Sequence, residues 1–144
     1  MKAVQANLLQ VIKGPKQFVI PIYQRTYSWQ ISQCKKLFND LLEINNNQDI
    51  HGHFIGSIVY FQEGHHTISD VPKLLVIDGQ QRLTTITLII AALSNYLTKN
   101  ESNIETTATK LKNYYLFNPE EDGELKHKLI LTRNDKETLI NILK

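Results

Sequence analysis

Residues 74–85 read LLVIDGQQRLTT, and the fold turns on how this stretch is interpreted. Four apolar residues, Leu74 to Ile77, form a short strand whose unbroken hydrophobicity predicts a central position covered on both faces. Asp78-Gly79 then turns the chain. From Leu83 to Thr98 there are 16 residues without formal charge. In that run Leu83, Ile86, Ile90, Leu93 and Leu97 fall at steps of three and four, and Leu88, Ile89 and Ala92 widen the apolar face. This spacing predicts the core helix. The run is shorter than the roughly 20 apolar residues a bilayer requires, and four threonines, a serine and an asparagine interrupt it. No membrane partner is expected.

Working outward, Val4, Leu8, Val11 and Ile12 predict a helix over 3–13, closed by Gly14-Pro15. Phe18 to Ile20 make a short strand that Pro21 ends, because proline cannot donate to a ladder. Ile31, Cys34, Leu37, Phe38, Leu41 and Leu42 trace an amphipathic helix over 31–44, with Ser28 or Ser32 as its cap. HFIGSIVYFQ, 53–62, is a strand with an interior glycine, Gly56, and EGHHTISDVPK is a polar connection. Beyond the core helix, TKNESNIETTATK is a polar hinge, Leu111 to Leu116 a weaker helix, and HKLILTRND a further strand. Lys136 to Lys144 begins a helix without a stop signal, which predicts a piece of a longer protein.

Size and composition set bounds. At 144 residues and 42% hydrophobic, the chain can bury one real core. Sixteen basic against 14 acidic residues leave a net charge of +2, far from the strongly basic footprint of proteins that live on nucleic-acid phosphates. One cysteine, Cys34, excludes an internal disulfide, and with no secretory signal at the start a cytoplasmic location is expected. His51, His53, His65 and His66 lie in loops without the cysteines or carboxylates that would complete a zinc site. P-loop, nucleophile-elbow and paired-cysteine motifs are missing.

Three stretches carry candidate chemistry. A strand that ends at Asp-Gly and enters a helix presents free backbone N–H groups and the positive end of the helix dipole, the physical basis of phosphate binding. Arg82 adds a fork of donors there, although a cation in a first helical turn costs about 0.3–1 kcal/mol against the dipole. A bound phosphate is one compensating anion. The alternative is local: Asp78 and Gln81 have capping-box spacing, and Asp78 with Arg82 is an i,i+4 pair able to neutralise itself. Glutamine at both 80 and 81 exceeds what a cap requires. IPIYQRTYSW gathers Tyr23, Gln24, Arg25, Tyr27 and Trp29, read most simply as a surface arginine packed on core aromatics, and alternatively as an arginine among rings that suits phosphate and base. FIGSIV sets Ser57 beside Gly56, where an in-strand glycine marks close approach of a ligand or a bulge.

IPIYQRTYSW, FIGSIVYF and VIDGQQRLTT, in that order and spacing over residues 18–90, resemble the N-terminal domain of the GmrSD-type family of modification-dependent (type IV) restriction and phage-defence proteins. The resemblance implies an α+β fold, a small mixed sheet flanked by helices, similar to ParB and sulfiredoxin. It implies a nucleotide-binding core over 1–100, with 101–144 a helical extension that opens a C-terminal region. Family members bind and hydrolyse NTPs with a divalent cation, usually Mg²⁺, around the DGQQR motif. Carried over, Asp78, Gly79, Gln80, Gln81 and Arg82 form that turn, Tyr23, Gln24 and Arg25 face it, and Gly56 and Ser57 lie on the neighbouring strand. Asp78, Arg82 and Arg25 are the implied catalytic residues, and Asp78 the implied metal ligand. Complete members sense modified DNA or regulate a C-terminal HNH-type nuclease region or partner subunit, of which these 144 residues contain no catalytic cluster. The expected activity is therefore NTP hydrolysis in a regulatory domain. Two alternatives stand beside it: a DNA-binding, modification-sensing module without nucleotide turnover, and a silent assembly domain.

Overall fold

The computed structural model describes residues 2–62, 64, 71–100 and 105–144. The apolar stretch forms β3 (Lys73–Asp78), an inner strand of a four-stranded sheet. It runs parallel to β1 (Gln17–Val19) and antiparallel to β2 (Val59–Gln62), and β1 runs parallel to β4 (Leu129–Ile130), giving the order β2-β3-β1-β4. The helices are α1 (Leu8–Ile12), α2 (Ile31–Asn46), α3 (Gln80–Asn100), α4 (Glu105–Leu111) and α5 (Arg133–Leu143). A π-helical turn, Lys112–Leu116, continues α4, and a 3-10 turn, Gly123–Lys126, precedes β4. This is the expected α+β arrangement, a small mixed sheet flanked by helices.

Burial along β3 alternates instead of being complete. Leu74 and Val76 are buried, whereas Ile77 is 39% exposed. That period of two means one face of the strand meets the core and the other faces outward, so the expectation of cover on both faces is corrected. The core joins Phe18, Val76, Leu83, Ile86 and Ile90 to Leu116, Leu129, Leu131, Leu139 and Leu143 in one cluster. Residues beyond 100 thus supply a strand and a share of the core.

Other differences from the sequence expectations have local causes. α1 starts at Leu8 and not residue 3, because the Asn7 side chain accepts from the Leu9 N–H at 3.0 Å and caps the helix there. At α2 neither serine caps; Gln33 Oε1 accepts from the Gln30 N–H at 2.6 Å. The strand expected over 53–62 shrinks to 59–62, since Gly56 adopts φ +100° and leaves the extended region. Of the expected hinge, residues 98–100 complete α3 and 105–110 lie in α4. Packing overrides the weak propensity: Ala108 is buried, and its carbonyl accepts from Ser94 Oγ at 3.2 Å. Residues 101–104 of that hinge, and His65 and His66 with most of the polar connection, lie outside the described residues.

A buried polar cluster closes the end of the sheet where β1 and β4 begin. Asn118 donates to the carbonyls of Lys16 (3.0 Å) and Leu125 (2.8 Å). Gln17 donates to the carbonyls of Glu124 (2.7 Å) and His127 (2.9 Å). The ammonium of Lys128, only 3% exposed, donates to the Gly14 carbonyl and to Asn118 Oδ1. No carboxylate pairs with it among the described residues. Desolvation, aided by repulsion from Lys16, lowers its pKa to about 8. Desolvation likewise holds the His127 imidazole below its ordinary range.

Candidate functional site

At the opposite end, where β1 and β3 finish, β3 delivers Asp78 to the surface and Gly79 turns the chain into α3. Gly79 has φ +88°, and a Cβ on it would lie 2.7 Å from the Ser57 carbonyl oxygen, so only glycine fits the turn. The Gly79 carbonyl accepts the first helical bond, from the Leu83 N–H at 3.0 Å. The N–H groups of Gln80, Gln81 and Arg82 therefore have no carbonyl of their own helix to reach, and they carry the positive end of its dipole. The first turn of α3 has no acidic residue to offset it.

Arg82 reaches across to the segment leading into β2. Its Nη1 donates to the Ser57 carbonyl at 2.7 Å, and its guanidinium lies against Gly56, where a Cβ would come within 2.7–2.9 Å of three guanidinium atoms. Among the described residues Asp78 and Arg82 do not form the i,i+4 ion pair, and Arg82 has no other carboxylate partner. The capping box is also not built. Gln81 is buried and its amide is spent on the segment after β1: Oε1 accepts from the N–H groups of Ser28 (2.8 Å) and Trp29 (3.2 Å), and Nε2 donates to the Thr26 carbonyl (3.2 Å). Both local alternatives for this turn are thereby removed.

The same segment is anchored at two further points. Gln24 Nε2 donates to the Ile77 carbonyl at 3.0 Å, and the Tyr27 N–H donates to Asp135 Oδ2 at 2.7 Å. The Tyr27 hydroxyl lies 2.9 Å from Thr85 Oγ1 and 3.1 Å from Cys34 Sγ. Thr85 spends its proton on the Gln81 carbonyl at 2.8 Å, so it accepts from Tyr27, and Tyr27 accepts from the thiol. Burial pushes the Tyr27 phenol above its ordinary range.

These elements enclose a cleft of about 170 Å³ lined by Gln24, Arg25, Trp29, Ile77, Asp78 and the Gly79–Arg82 turn. Arg25 is exposed and has no ion-pair partner among the described residues. The cleft thus combines two guanidiniums and one carboxylate with a helix N-terminus. Of the residues singled out from sequence, Gln24, Arg25, Asp78, Gly79, Gln80, Gln81 and Arg82 line it, with Gln81 acting as a brace. Gly56 and Ser57 stand behind Arg82. Tyr23 does not line the cleft; its ring is 70% exposed beside Ile22.

The sequence profile of the GmrSD restriction endonuclease N-terminal domain matches residues 8–144. The chain belongs to that family. No curated protein matches it. In this GmrSD N-terminal domain the match takes in β4 and α5 as well as the DGQQR turn, so the profile covers every element of the sheet. None of the described helices is long and apolar enough to cross a membrane.

Sequence reasoning missed Asp135 and Thr85. Thr132-Arg133-Asn134-Asp135 has the spacing of a capping box, so its signal points to a helix start. In the GmrSD domain that start is unusual: Thr132 makes no side-chain cap bond, Arg133 has φ +51°, and Asp135 turns to Tyr27 instead.

Proposed function

We propose that this GmrSD N-terminal domain binds a nucleoside triphosphate through its phosphates in the Asp78–Arg82 cleft, and hydrolyses it as the regulatory domain of a restriction system. The observation that carries the reading is the pair of arginines without carboxylate partners among the described residues, Arg25 and Arg82, on one cleft at the N-terminus of α3. Cations on the same cleft as the amide donors of a helix N-terminus suit an anionic guest. At about 170 Å³ the cleft is well below the roughly 300–1,000 Å³ of sites that enclose whole drug-sized ligands. It has room for phosphates, and the base stays outside, which favours weak selectivity among NTPs.

Arg82 and the turn amides hold phosphate oxygens, and Arg25 offsets charge on the transferring phosphoryl. Asp78 is the one carboxylate among the lining residues, and no group of three His, Cys, Asp or Glu able to hold a metal occurs among the described residues. That donor set fits Mg²⁺ arriving with the triphosphate, since Mg²⁺ binds through one or two carboxylates plus substrate phosphates. When bound, the ion supplies charge neutralisation at the phosphates. The regulated partner is a C-terminal HNH-type nuclease region or a separate subunit, and the setting is cytoplasmic.

A second reading, DNA recognition without turnover, draws on the exposed Tyr23, two residues before Arg25, whose ring suits stacking against a base. Chemistry and salt separate the two. Mg²⁺-dependent release of phosphate, abolished in Arg82→Ala, supports hydrolysis; no release, with DNA affinity that falls steeply as salt rises, supports the second reading.

A further inference from the structure

Arg25 sits on a segment, residues 21–30, that has no helix or strand of its own and so owes its shape to what grips it. Three grips come from elements that form the cleft: Gln24 on the Ile77 carbonyl, the Gln81 amide on Thr26, Ser28 and Trp29, and Thr85 on the Tyr27 hydroxyl. Among the described residues the one grip on the Tyr27 backbone comes from α5, 108 residues away in sequence, where Asp135 Oδ2 accepts the Tyr27 N–H at 2.7 Å. A carboxylate acceptor makes this a strong, short hydrogen bond. The first turn of α5 is also where a helix dipole favours a negative charge. Asp135, Arg25 and Tyr27 share the lining of a second cavity, of about 10 Å³, which adjoins the cleft through Arg25, Gln80 and Gln81.

We propose that Asp135 is a positioning residue for this cleft: its carboxylate fixes the backbone at Tyr27 and thereby holds Arg25, two residues before it, where a phosphate arrives. The function assigned to Arg25 rests on the nucleotide reading above, whereas the fixing of Tyr27 does not. Without this bond the Tyr27 backbone gains freedom between the Gln24 and Gln81 contacts that remain, and that freedom is lost when the ligand binds, at the expense of affinity. Because Asp135 belongs to α5, the bond also makes the C-terminal helix part of the cleft's support.

The test uses the full chain with Asp135→Ala and with Asp135→Asn, whose amide oxygen can still accept the Tyr27 N–H. Two readouts are taken: amide exchange at Tyr27 by ¹H–¹⁵N NMR, with Val76 in β3 as internal reference, and affinity for MgATP and for inorganic triphosphate. Expected are exchange at Tyr27 at least about tenfold faster in Asp135→Ala with Val76 unchanged, affinity about tenfold weaker, and recovery of both to within about threefold in Asp135→Asn. In an Arg25→Ala background Asp135→Ala has no further effect on affinity, because the lost contact is the one it served. Wild-type protection of Tyr27 in Asp135→Ala overturns the proposal, and so does an affinity loss that persists in the Arg25→Ala background. If Asp135→Ala does not fold, an unprotected Tyr27 amide in folded Asp135→Asn overturns it. If the wild type binds neither ligand, the nucleotide reading fails, and the Tyr27 exchange comparison alone decides whether Asp135 fixes the segment.

Discussion

Arg82→Ala separates affinity from stability. Among the described residues the Arg82 side chain makes one hydrogen bond, to the Ser57 carbonyl, at a site open to solvent. Water competes there, so its loss costs at most about 1 kcal/mol. Against that, removing a cation from the first turn of α3 recovers about 0.3–1 kcal/mol of dipole repulsion. The two effects nearly cancel, and a net change within about 1 kcal/mol moves the melting temperature of a chain this size by no more than about 5 °C. Binding behaves differently. A guanidinium-to-phosphate contact contributes about 1.5–3 kcal/mol, which corresponds to a dissociation constant weakened roughly 10- to 150-fold. Calorimetric titration of MgATP into both proteins, paired with thermal melts, reads the two quantities independently. Unchanged affinity in a folded Arg82→Ala protein refutes the assignment of Arg82 to the guest. A collapse in stability of several kcal/mol refutes the claim that its internal bonds are minor.

Gly56→Ala should both strain the backbone, where φ is +100°, and push the guanidinium from its seat; we expect about 1–2 kcal/mol of destabilisation together with weakened triphosphate binding, and wild-type affinity contradicts the seating. Gln81→Ala leaves the Ser28 and Trp29 N–H groups and the Thr26 carbonyl without their buried partner. A loss of about 2–4 kcal/mol in denaturant unfolding is expected, and a loss under 1 kcal/mol shows that the brace is dispensable. Lys128 makes stability depend on pH in a defined window. Its pKa is about 8 when folded and near 10.5 when unfolded, so between those values the unfolded chain holds the extra proton and stability rises with pH. The cost of the buried charge is full below pH 8 and relieved by about 3 kcal/mol at most on reaching pH 10.5. Wild type should gain on Lys128→Met across that window in urea titrations, and a constant difference between them counters the burial argument.

The elements that the sequence revealed best are those where pattern and packing agree. The Leu83–Leu97 stripe holds over its first half, where Leu83, Ile86 and Ile90 are buried in the core; beyond them Leu93 is 47% exposed and the buried face runs through Ala91 and Ser94. The Asp78–Arg82 turn was legible as a helix start with an odd cation, and the two arginines do line one cleft. What stayed hidden was decided by contacts distant in sequence. Gln81 has the spacing of a cap, yet its amide is drawn 52 to 55 residues back to the segment after β1. Asp135 likewise carries a capping signal and serves Tyr27, 108 residues away. Gly56 looked like an in-strand glycine, whereas its positive φ ends the strand and makes room for Arg82. Local propensity contains no information about such partners, and a two-residue strand such as β4 is specified by its neighbour β1 more than by its own residues.

Trp29 is the sole tryptophan of the chain and lines the cleft, so its emission reports directly on whether that space is filled. Titrating the folded protein with MgATP, and separately with inorganic triphosphate, is the most direct examination of the claim that the DGQQR turn receives phosphate. A saturable change in Trp29 emission with MgATP, reproduced by triphosphate alone and lost in Arg82→Ala, is the expected result. Flat emission up to millimolar ligand, with calorimetry equally silent, contradicts it.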